Sequence, residues 1–189
     1  PQVVEGISFQ GFAGVLIAEG GVGKSTVALS MALHTAIGRP WCGRKTVEGR
    51  TLYVTAEDSR RIIAQRLGLI LQQLVEEGGW TEDDAARALA GLRIEDLSGS
   101  EATMMVKAMG VATRTALVNE MVEKYKDQGV VSVVVDPFSS FGMGEENSNS
   151  EVATMMRAAA YVAESLNAAF CFIHHTGKPS ADGPRDDQY

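Results

Sequence analysis

The sequence is short of cysteine, of long apolar runs and of basic charge, and each shortage excludes a class of protein. Only two cysteines occur among 189 residues, Cys42 and Cys171. That is too few for the disulfide framework of a small secreted domain. No stretch reaches the roughly 18 apolar residues that a membrane-spanning helix needs. The run 130–135 is strand-sized and is broken by Ser132. The N-terminus, PQVVEGISFQ, lacks the basic region and apolar run of a secretory leader. These shortages predict a cytoplasmic protein in a reducing compartment, with no membrane contact. Lys and Arg number 17 against 24 Asp and Glu, a formal net charge of −7. Such a chain does not coat nucleic acid over its whole surface. What is present is globular. Hydrophobic residues are 45% and charged residues 22%, near the averages for folded domains.

Strand-like runs alternate with helix-like runs, which predicts an α/β fold with a mostly parallel sheet. A first strand, Gly14 to Ala18, enters a glycine-rich turn and a helix that ends at Ile37, before Gly38, Arg39 and Pro40. A second strand, Thr51 to Thr55, precedes a helix from Ser59 to Glu77. Ile63, Leu67, Ile70 and Leu74 give that helix one apolar face. Thr81 to Leu89 reads as a short helix and Leu92 to Ile94 as a short strand. Ser98 to Val111 has no period and reads as a mobile loop. Thr113 to Lys126 is a helix, and Val130 to Val135 the most buried strand. Phe138 to Asn149 is a polar loop. Ser148 and Glu151 have capping-box spacing. Val152, Met155, Ala159, Ala163 and Leu166 form the next helix face. The last strand is Ala169 to Ile173.

The strongest chemical signal is AEGGVGKST, Ala18 to Thr26. Gly23, Lys24 and Ser25 match the end of the phosphate-loop pattern GxxxxGK[ST], while Ala18 stands at its first glycine. Glycines let such a loop wrap, so that backbone N–H groups of Gly20, Gly21, Val22, Gly23 and Thr26 point at phosphate oxygens. The helix N-terminus adds a favourable dipole. Lys24 then reaches the β- and γ-phosphates of ATP, and Ser25 holds Mg²⁺. Asp136 ends a hydrophobic strand, the Walker B arrangement, and is the second Mg²⁺ residue. The residue after it is Pro137, which cannot act as a base.

The base must therefore lie elsewhere, and Glu57, just past the second strand, is the candidate. Parallel strands deliver their C-terminal ends to one crevice, where Glu57 polarises the attacking water. Asp58 beside it is a secondary candidate, or the cap of the next helix. Arg66 on that helix is a secondary candidate for contact with nucleotide. His174 and His175 end the last strand. Successive strand residues face opposite ways, so one of them reaches the γ-phosphate. Cys171, His174 and His175 have zinc-ligating chemistry too, but a structural site takes four ligands and no second pair is present.

This combination resembles the RecA-type ATPases. Within that group the chain looks most like the RepA-type plasmid helicases and related phage or plasmid ATPases. AEGGVGKS, VTAEDSRRIIAQRL, VVDPFSSF, GEENSNSEV and FIHHTGK carry the resemblance. It implies a three-layer α/β/α RecA-like domain over 1–178, followed by a polar tail, 179–189. It implies a hexameric ring with ATP and Mg²⁺ between subunits, and single-stranded DNA in the central channel. Lys24, Ser25, Glu57 and Asp136 match nucleotide, Mg²⁺ and water positions. His175 matches the γ-phosphate sensor best, His174 second. Phe138 to Asn149 and the segment after Lys178 become the channel-facing loops. The family continues past the sensor strand with further strands and an arginine finger, so the full protein is expected to continue past Tyr189. The implied function is a replicative DNA helicase. Alternatives are a recombination, repair or regulatory ATPase without unwinding, and a nucleotide-gated assembly module with weak hydrolysis.

Overall fold

The computed structural model describes residues 1–108, 111–142 and 149–176. A hairpin, β1 (Gln2–Val4) and β2 (Ser8–Phe9), precedes β3 (Ala13–Glu19). Next come α1 (Lys24–Ala36), β4 (Arg50–Thr55), α2 (Arg60–Glu76), α3 (Glu82–Gly91) and β5 (Leu92–Asp96). A second hairpin, β6 (Met105–Ala108) and β7 (Val111–Arg114), leads to α4 (Ala116–Tyr125) and β8 (Val130–Asp136). The short α5 (Phe138–Phe141), α6 (Asn149–Leu166) and β9 (Ala169–Thr176) follow.

Five strands form one sheet in the order β3-β9-β8-β4-β5, and every neighbouring pair is parallel. A parallel sheet is covered on both faces, so its central strands are apolar throughout. That accounts for VVSVVVD in β8. Alternation sends Tyr53, Val134 and Ile173 to one face, where they pack with Leu29 and Leu33 of α1 and Ile63 and Leu67 of α2. Val133, Val135, Phe170 and Phe172 face the other way, into a core with Met121 of α4 and Met155 and Val162 of α6. Each large side chain fully buried here contributes about 1.5–3 kcal/mol. The result is the expected three-layer α/β/α architecture.

Several expectations change. The segment read as a mobile loop, Ser98 to Val111, contains β6 and the start of β7, paired antiparallel. Its methionines lack a period because Met104 and Met105 are buried at the hairpin base, and Met104 N–H donates to the Phe141 carbonyl. The following helix begins at Ala116 rather than Thr113, because Thr113 and Arg114 belong to β7. The polar loop from Phe138 opens with α5, whose Phe138 and Phe141 are buried. This part of the supposed channel-facing loop is core. Val152, placed on the apolar face of α6, is exposed; Thr154 and Ala158 share the buried face instead. Ser148 and its capping box, the rest of that loop, Lys178 and the tail 179–189 lie outside the described residues. No helix of the described residues is long and apolar enough to cross a membrane.

Candidate nucleotide site

The phosphate loop lies between the C-terminal end of β3 and α1. Gly21 and Gly23 have φ of 81° and 92°, a left-handed backbone that side chains rarely adopt. Gly23 caps α1 without any side-chain bond, and the first turn carries no acid. The first-turn N–H groups and the helix dipole therefore face the loop without a side-chain cap, the chemistry of an anion site. Lys24 is buried, and its Nζ donates to the carbonyls of Ala18 and Glu19, both at 2.6 Å.

Strand register brings the other groups to the same edge. Asp136 lies directly across from Thr55, and Ala56 N–H donates to the Asp136 carbonyl at 3.2 Å. Thr55 Oγ1 accepts from Asp58 N–H at 3.2 Å, which fixes the turn that carries Glu57 and Asp58. Ser59, not Asp58, takes the N-cap position of α2. Asp58 instead forms an ion pair with Arg66, one turn and more into that helix. On the far side, His175 lies across from Ala18, the first residue of the phosphate-loop motif.

A cavity of about 280 Å³ is lined by these groups: Gly21, Gly23, Lys24, Ser25, Thr26, Glu57, Asp58, Arg66, Asp136 and His175. Gly20, Val22 and His174 are outside the lining. Val22 is 60% exposed. The His174 ring meets Phe138 edge-on at 5.3 Å, so it faces the α5 side of the sheet. A larger apolar hollow of about 380 Å³ beside β3 has no charged residue in its lining, so it offers no comparable chemistry.

Three carboxylates outnumber two cations in this lining. Together with the Ser25 and Thr26 hydroxyls they are hard oxygen donors, which suit Mg²⁺. Among the described residues no group of three or more acidic, histidine or cysteine side chains forms a ready cage. Mg²⁺ normally takes one or two carboxylates and completes its shell with phosphates and water, so the residues fit it.

A protein-family profile described as an AAA domain matches residues 1–181. The chain belongs to this AAA domain family. Among solved structures, the crystal structure of the RadB recombinase is similar to this AAA domain, with TM-score 0.52 over 89% of the chain at 16% identity. That likeness shows the fold, a RecA-like α/β domain. The chain spans 63% of the length of the recombinase chain.

Tyr53 had no place among the sequence candidates. It is fully buried, and its hydroxyl donates to Asp136 Oδ2 at 2.5 Å. Burial, reinforced by the Asp136 charge, pushes the phenol far above its ordinary value of 10.0. The available signal was a tyrosine inside the apolar strand TLYVT, since a buried phenol needs a partner; the partner itself is set by the strand register, which places Thr55 across from Asp136.

Proposed function

We propose that this AAA domain binds and hydrolyses ATP with Mg²⁺ as a RecA-like motor, and works in a hexameric replicative DNA helicase of plasmid or phage type. The observation that carries the ATPase reading is the convergence of Lys24, Ser25, Glu57, Asp136 and His175 on one cavity at the sheet's C-terminal edge.

In this reading Lys24 exchanges its two carbonyl partners for the β- and γ-phosphate oxygens of ATP. First-turn N–H groups of α1 cradle the same phosphates. Ser25 and Asp136 would hold Mg²⁺, which when bound neutralises charge on the β- and γ-oxygens. Glu57 orients the attacking water and accepts its proton as the water oxygen bonds the γ-phosphorus, the bond from that phosphorus to the β–γ bridging oxygen breaks, and ADP leaves. His175, across from Ala18, bonds the γ-phosphate and registers its loss. Arg66, held by Asp58, supplies a second cation at the cavity wall. Neighbouring copies of the chain in a ring, single-stranded DNA in its channel and an arginine finger in trans complete the helicase reading.

A recombination or repair ATPase is the second reading; the recombinase fold of the RadB structure supports it as a scaffold. ATP turnover by the full-length protein, with and without single-stranded DNA, tests the motor. Glu57→Gln should retain ATP binding and lose turnover. Unwinding of forked DNA separates helicase from recombinase. Tight ATP binding without hydrolysis under either condition would refute the motor.

A further inference from the structure

The Tyr53 hydroxyl sits beneath the cavity and bonds Asp136, one of the residues expected to hold the metal. Its bond to Asp136 is 2.5 Å long. Tyr53 is 0% exposed and absent from the cavity lining. It therefore reaches neither nucleotide nor water, and can act only through Asp136. We propose that Tyr53 is a positioning residue that sets the Mg²⁺ affinity of the nucleotide site by fixing the Asp136 carboxylate.

A carboxylate has about four acceptor positions. One bond from Tyr53 fixes the carboxylate and leaves acceptor capacity for a hydrated cation. The geometry is rigid on the protein side. Tyr53 belongs to β4 and Asp136 to β8, and the two strands pair in register from Tyr53↔Val134 to Thr55↔Asp136. The phenol packs in a core with Leu29, Ile63 and Val134. A packed ring on one strand thus holds the acid of the next. Outer partners that orient a metal-holding carboxylate alter metal affinity by about 10–100-fold when removed.

The inference rests on the ATPase reading, and its test separates the two. Tyr53→Phe keeps the ring and removes only the donor. Binding of a fluorescent ATP analogue is measured in EDTA and across a Mg²⁺ titration. Tyr125→Phe, which deletes a phenol bonded to Glu95 away from the site, serves as control. The expected result is an EDTA affinity within about twofold of wild type and a Mg²⁺ half-saturation raised about tenfold for Tyr53→Phe alone. On an Asp136→Asn background the same change should add less than about twofold, since the effect is routed through Asp136. A folded Tyr53→Phe protein with wild-type Mg²⁺ half-saturation overturns the inference and leaves the ATPase reading standing. Wild-type protein that fails to bind the analogue overturns both.

Discussion

Replacing Phe141 with alanine tests whether the segment after Asp136 is core or channel loop. Phe141 is fully buried in the cluster that contains Met104, Met155 and Phe172. Its carbonyl also accepts the Met104 N–H at 3.0 Å, which ties α5 to the β6–β7 hairpin. Truncating a buried phenylalanine costs about 3–5 kcal/mol, the transfer term plus the cavity left behind. With a urea slope of about 2–3 kcal/mol per molar, the unfolding midpoint should fall by about 1–2.5 M. Tryptophan fluorescence can follow the transition, because Trp80 is buried against the ring of His34. Phe12, 69% exposed, is the matched control: its truncation should cost less than about 1 kcal/mol. A Phe141→Ala midpoint within about 0.2 M of wild type would refute the packing argument and restore this stretch to the surface.

Other expectations follow from single contacts. His175→Ala should slow ATP turnover by at least about tenfold with little change in melting. His174→Ala should do the reverse, losing about 1 kcal/mol of stability with the edge-on contact to Phe138; turnover and thermal melts on both variants decide it. His34 is held below its ordinary 6.5, chiefly by burial and further by Arg39, against a bond from its Nδ1 to the Ser30 carbonyl. The folded state therefore disfavours the charged ring, and the unfolded chain binds the extra proton first. Stability is full above pH 6.5 and falls as pH drops below it. His34→Gln should flatten that part of a urea-midpoint profile between pH 7.5 and 5.5. Burial pushes the Cys171 thiol up to about 11, whereas Cys42 is exposed. Thiol labelling at pH 8 should show one fast group, lost in Cys42→Ser, and one slow group.

The fold was legible where local rules and tertiary structure agree. The run VVSVVVD has no helical period and is too short for a buried helix, so β8 was the safest element. Helix α2 carried its own face in Ile63, Leu67 and Ile70, all buried. The β6–β7 hairpin was illegible for the opposite reason. Its two strands have four residues each, and Met104 and Met105 are both buried in succession, which erases period two. Phe138 and Phe141 failed similarly. Serines and glycine around them read as loop, while the two rings are what α5 buries.

The site divides along the same line. Lys24 and Ser25 could be read from the loop motif alone, since one stretch of chain builds both the glycine turn and the helix start. Glu57, Asp136 and His175 required the assumption that parallel strands end together; the register supplies it, with Thr55 across from Asp136 and Ala18 across from His175. The choice between His174 and His175 is a matter of phase, which a sequence gives only as one or the other. Packing resolves the phase: Ile173 belongs to the α1 face and Phe172 to the α6 face. His175, two residues beyond Ile173, must then share the phosphate-loop side, and His174 must follow Phe172 toward Phe138. Tyr53 lies one step further from view. Its partner is 83 residues away in sequence, and nothing in TLYVT says which strand will be its neighbour. Once β8 occupies that place, the phase that buries Tyr53 beside Val134 also aims its hydroxyl at Asp136. The same packing that builds the core thereby fixes the acid at its edge.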